Sequence, residues 1–187
     1  MASALRPATG RDWPAATGTG EWDCRRTAEH LGDCLMSYAA QLIARPATRF
    51  VRFLATADED ATPAEVLEFA VAGAGMLSAV VRTAVPSVRA YHPTGTADPG
   101  GFAGMGCVEV LVHGEDIARG LGVAVDPPRD LCARVLARMF PRAPRAPRAG
   151  VTGIDPWTAL LWATDRATLP DRPRQRGWRW QAAPPHA

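Results

Sequence analysis

EWDCRRTAEHLGDCLMSYAAQLIARP, residues 21–46, is amphipathic at helical spacing. Leu31, Leu35, Tyr38 and Leu42 recur every three or four residues, so one face of a helix over about 23–44 needs a core to pack on. Asp23 suits the N-cap and Pro46 follows the end. A second stripe, His30, Cys34, Ser37 and Gln41, runs beside the apolar row and borders the core.

The rest of the chain repeats this style. TPAEVLEFAVAGAGMLSAVVRTAVP, residues 62–86, predicts a second helix, with Thr62 as cap and Pro63 in the first turn. Gly73 and Gly75 weaken it but would admit a close neighbour. Residues 85–100 read as a long turn-rich loop. A third helix is expected over 101–121 and a fourth after Asp126, read as its cap. PRAPRAPRAG, 141–150, reads as a solvated linker, 142–150 above all. DPWTALLWATDRATLP, 155–170, predicts a fifth helix capped by Asp155, and the tail GWRWQAAPPHA a strand or an extended arm. No strand–helix alternation is present, so a doubly wound α/β fold is excluded. The expectation is an all-α protein: an irregular arm at 1–21, a four-helix bundle at 22–140, and a linker, short helix and tail at 141–187 packing on the bundle.

Composition narrows the partners. Hydrophobic residues make up 47% and charged residues 21%, and the net charge is +2. All 21 basic residues are Arg, which fits the Ala-, Gly- and Pro-rich bias of the whole chain. So near a balance predicts no nucleic-acid partner. No run reads as a membrane span or signal peptide, and the four Cys show no CxxC spacing. A cytoplasmic protein with free thiols follows as the expectation, as monomer or homodimer.

The third helix carries MGCVEVLVHGEDIARGLG, 105–122, in which Glu109 and His113 fall four residues apart within a largely apolar run. A buried carboxylate must be paired, neutralised or bound to a metal. A plain Glu–His hydrogen bond would satisfy it. His30 on the first helix opens the other option, because a bundle can bring it against Glu109 and His113. Two imidazoles and one carboxylate suit Zn²⁺ or another divalent metal with a position left open, the pattern of a catalytic site. Asp116, one turn on, can orient a ligand histidine or pair with Arg119. Cys34 and Cys107 read as packing thiols. His92 belongs to the loop and His186 to the tail.

The runs 21–42, 108–122 and 155–170 together with Trp178-Arg179-Trp180 resemble the mycothiol-dependent maleylpyruvate isomerase family, within the wider DinB-like helix bundles. The likeness spans most of 11–182. Its specific parts are Trp22 eight residues before His30, then Glu109-x-x-x-His113, then Asp116 through Gly122. The resemblance implies that His30, Glu109 and His113 are metal ligands, usually for zinc, and Glu rather than His at 109 points to the mycothiol branch. It further implies mycothiol or a similar small thiol as cosubstrate and a small-molecule electrophile as partner. Isomerase and S-transferase outcomes both fit. Arg166, and less so Arg82, are candidates to clamp a substrate carboxylate. A zinc hydrolase on the same bundle, or a non-catalytic binding bundle, are the competing readings.

Overall fold

The computed structural model describes residues 1–143, 153–170 and 172–184. Among them are α1 (Ala2–Leu5), a 3₁₀ turn (Arg6–Ala8), α2 (Cys24–Ala44), α3 (Pro63–Thr83), α4 (Pro99–Gly120), α5 (Arg129–Met139) and α6 (Pro156–Ala163), with only isolated β-bridges besides. The protein is all-α.

Local chemistry explains the starts. Asp23 accepts from the Arg26 N–H. Thr62 and Glu65 form a reciprocal capping box, with Pro63 in the first turn. Asp155 accepts from Thr158 N–H. Asp98 caps α4 through Gly101 N–H, and Pro99 in its first turn starts the helix two residues before the expected 101. Asp126 does not cap α5: the helix starts after Pro128, with no side-chain cap. Two successive prolines hold the chain extended past Asp126, so its carboxylate is too early to reach the first turn.

α2 and α3 run parallel. Arg25 near the start of α2 donates to the carbonyls of Asp58, Glu59 and Ala61, just ahead of α3. Further along, Phe69 packs over Gly32, and Gly73 faces Leu35 and Met36. A long crossover therefore joins them. Buried Gln41 ties it down, accepting from Val51 N–H (2.7 Å) and donating to the carbonyls of Arg49 and Tyr91. α4 returns antiparallel: Cys24 lies against Ile117, and Tyr38 against Phe102. Phe102, Met105 and Val108 form the centre of the main core. α5 packs on α4 and α6 rather than on α3, which leaves a cleft between α3 and α5.

The first 21 residues are more ordered than expected. α1 and the 3₁₀ turn bury Leu5, Ala8 and Trp13 in a second core with Val66, Leu67 and Ile117. Trp13 is fully buried, its indole N–H donating to the Ala8 carbonyl. Single apolar residues among Pro, Gly and Thr carry no periodicity, so this anchoring is invisible to pattern reading. The C-terminal tail packs as an extended arm, with Gln181 N–H bonded to the Met139 carbonyl and Ala182 buried. Most of the predicted linker, and His186, lie outside the described residues.

The expectation that no run reaches membrane-span length needs correction, because α3 is long and apolar enough. It packs here as a bundle helix, burying Val66, Leu67, Ala70, Gly73 and Leu77, while Val71 and Met76 face outward.

The two α3 glycines differ. A Cβ on Gly73 would sit 3.0 Å from the Gly32 carbonyl oxygen, whereas one on Gly75 meets nothing within 4 Å. Gly73→Val is therefore expected to destabilise by about 1–3 kcal/mol through overpacking. Gly75→Ala should stabilise by up to about 1 kcal/mol through helix propensity. Urea midpoints of the two variants check this, and equal shifts would refute the close α2–α3 approach.

Candidate metal centre

His30 projects from α2, and Glu109, His113 and Asp116 from one stripe of α4 that faces it. One ligand atom from each of His30, Glu109 and His113 lies within 4.8 Å of the others. The His30 and His113 rings meet edge to face at 5.0 Å between centroids. The structure thus brings together the three residues singled out from sequence.

The hydrogen bonds around them have a direction. Glu109 is 6% exposed. Its Oε1 accepts from the Tyr38 hydroxyl at 2.8 Å, and its Oε2 lies 3.1 Å from His113 Nε2. On the opposite side of that ring, Nδ1 lies 3.2 Å from Asp116 Oδ2. Asp116 in turn accepts from Arg166, NH2 to Oδ2 at 2.9 Å and Nε to Oδ1 at 3.3 Å. So Asp116 holds the Nδ1 proton and aims Nε2 inward, toward Glu109 and His30. A carboxylate behind the imidazole is the arrangement that orients a metal-ligating histidine and raises its basicity.

The donor set fits a divalent ion. Zinc bonds to N and O of about 2.0–2.2 Å place donors roughly 3.3 Å apart, so side-chain adjustments suffice to close the present set. Three protein donors leave a coordination position for a further ligand. His30 is held by Trp22, whose ring packs edge-on at 4.9 Å between centroids, with the Arg26 guanidinium on the indole at 4.8 Å.

Burial and neighbouring charge set the protonation states. Burial lowers the His30 pKa, with Glu109 opposing, so His30 is neutral near pH 7. Burial also disfavours a charged His113, but hydrogen bonds to Asp116 and Glu109 outweigh it and raise the pKa to about 9. Burial disfavours the Glu109 anion too, and there the bonds from His113 and Tyr38 prevail and hold its pKa below the usual range. Asp116 is likewise held low, by His113 and Arg166 against burial. Without a metal the cluster is a buried set of alternating charges.

Other candidates fall around this centre or away from it. The Cys34 thiol lies 3.4 Å from His30 Nε2, and burial, then the Glu109 charge, raises its pKa, so by itself it is no nucleophile. Cys107 and Arg82 line a separate cavity. His92 is buried against Tyr38 and Phe50, with Nδ1 bonded to Thr94, and burial lowers its pKa to about 4. Arg166 is near the trio, but its guanidinium is engaged by Asp116 and the Thr164 carbonyl (2.7 Å) rather than open to a substrate. Tyr38 is the participant that sequence reading missed, having been counted among the apolar row. Its signal was position: two turns beyond His30 and bearing a hydroxyl that needs a partner when buried.

The N-terminal domain model of mycothiol maleylpyruvate isomerase matches residues 1–118. The chain belongs to this family. All three candidate ligands and Asp116 lie inside the match, whereas Arg166 lies beyond it. Comparison with curated proteins and with solved structures gives no match. For a mycothiol maleylpyruvate isomerase-type domain, the inward convergence of His30, Glu109 and His113 is the feature on which any metal chemistry would depend.

The raised His113 pKa predicts a pH effect on the metal-free protein. A group whose pKa is higher folded than unfolded stabilises fully below its unfolded value, near 6.5, and ceases to as pH rises through its folded value, about 9. Stability of metal-free protein should therefore fall by on the order of 1–3 kcal/mol between pH 6.5 and 9.5. Asp116→Asn should flatten that slope. Denaturant unfolding across this range measures it, and an equal slope in both proteins would refute the assignment.

Proposed function

We propose that this protein is a zinc- or other divalent-metal-dependent thiol transferase or isomerase that uses a small thiol such as mycothiol on a small electrophile. The reading is supported by family membership and carried by one observation: His113 is oriented from behind by Asp116, so that its Nε2 converges with His30 and Glu109. A divalent ion at such a site supplies Lewis acidity that lowers the pKa of a bound thiol, so the thiolate persists near neutral pH.

The chain's own groups define what that site favours. Glu109 and Asp116 bring two negative charges and Arg166 one positive, leaving −1 once His113 is neutral. A dication turns this to +1, and an anionic fourth ligand then gives a balanced buried site, as low dielectric demands. Tyr38 fixes the Glu109 carboxylate from the side away from His113. Trp22 packs edge-on against the His30 ring. Addition of the thiolate to an activated alkene forms a C–S bond and leaves a carbanion; expulsion of the thiolate after bond rotation restores the double bond and gives isomerisation, whereas protonation of the carbanion by solvent gives a conjugate. Because Arg166 is held by Asp116, its role is to position His113 through that carboxylate. We place the protein in the cytoplasm, as a monomer or homodimer with neither nucleic acid nor membrane as partner.

The test is turnover of an activated alkene or epoxide by zinc-loaded protein with and without mycothiol. The expected result is consumption only when thiol and metal are both present. His30→Ala and Glu109→Gln should lower kcat/KM by at least about 100-fold, since removing one first ligand of three leaves the ion poorly held. Metal-dependent hydrolysis that needs no thiol would overturn the thiol reading, and wild-type protein that retains no metal would overturn the metal reading. Arg166→Ala should weaken zinc binding about 10–100-fold, read by competition with a chromophoric chelator.

A further inference from the structure

A sizeable cavity lies apart from the metal centre. It has a volume of about 550 Å³, within the roughly 300–1,000 Å³ range of small-molecule sites. It occupies the cleft left open between α3 and α5, with α4 as its floor and α1 closing one end. Leu77, Val81, Val110, Leu111 and Leu131 make its walls apolar. Ala74, Ala103 and Gly106 keep the space free of side chains. On α4 the cavity residues Ala103, Cys107, Val110 and Leu111 lie about a third of a turn from the stripe of Glu109 and His113, so the two sites face different ways.

Polar groups are few here and are gathered at the rim. The Arg82 guanidinium donates to the Ser78 hydroxyl at 2.8 Å and forms no ion pair among the described residues. Both residues lie on α3, one turn apart. Arg82 drew attention in the sequence as a carboxylate clamp, and the structure gives it a site of its own, away from the metal. An arginine without a carboxylate partner beside an apolar hollow is complementary to a single anionic head on an apolar body. Asp126 on the same rim disfavours a second negative charge. Mycothiol, a polar sugar conjugate, does not suit these walls.

We propose that this cavity binds an elongated apolar monocarboxylate, with its hydrocarbon part along Leu77, Val110 and Leu131 and its carboxylate on Arg82 and Ser78. The site is independent of the metal centre and does not rest on the thiol chemistry proposed above.

Calorimetric titration of the full chain with dodecanoate, dodecanol and dodecanedioate tests it. Dodecanoate should bind one per chain, more tightly than the other two, and unchanged by a metal chelator. Arg82→Ala should weaken dodecanoate at least about tenfold, the size of a lost charge-assisted bond, and leave dodecanol unaltered. Ala103→Leu should abolish binding of all three by filling the lumen. Ala74→Leu does the same from the α3 side and serves if the first variant does not fold. Absence of saturable dodecanoate binding, equal affinity for the alcohol, indifference to Arg82→Ala, or loss of binding on chelation would each overturn the proposal.

Discussion

Glu109 stands inside the bundle, 6% exposed, and a carboxylate there is unstable unless hydrogen bonds and positive charge surround it. The rest of the site answers that demand. Tyr38 comes from α2, His113 from the next turn of α4, and His30 faces both. His113 then needs its outer nitrogen engaged, which Asp116 does, and Asp116 needs a cation, which Arg166 supplies from the turn after α6. One buried charge thus links two bundle helices to a segment fifty residues further along the chain. Removing one partner leaves an uncompensated charge, a loss that can exceed the net value of the pair itself.

The parallel placement of α2 and α3 has a functional consequence. The long crossover lets α4 pack directly against α2, which offers His30 on its inner flank, while α3 takes the other side of α4. Each face of α4 therefore borders a different environment. One is polar and charge-balanced, the other apolar and hollow. The separation explains how a single short bundle accommodates two sites of opposite chemistry.

Helices with local signals were legible from sequence. Asp23, Thr62 and Asp155 each cap within three residues of the group they satisfy, so chain proximity alone reveals them. His30, Glu109 and His113 were legible because helical spacing fixes two of them on one stripe and sets His30 on the core-bordering stripe of the first helix, and the family resemblance falls on the same three residues. What was hidden is long-range or non-periodic. Asp126 has cap chemistry, yet two prolines remove it from the helix start. Trp13 and Leu5 are buried by a segment without apolar rhythm. Arg166 and Asp116 are far apart in the chain, and with 21 Arg present no pattern distinguishes the one that pairs. Arg82 could not be placed, because α3 is apolar or small on nearly every face and periodicity does not say which side turns inward.

Whether His30, Glu109 and His113 hold a metal is read directly from an anomalous difference map of crystals loaded with zinc. One strong peak is expected between α2 and α4, about 2.0–2.2 Å from a nitrogen of His30, Nε2 of His113 and an oxygen of Glu109. A map with no peak there, or with zinc bound only at other side chains, would contradict it.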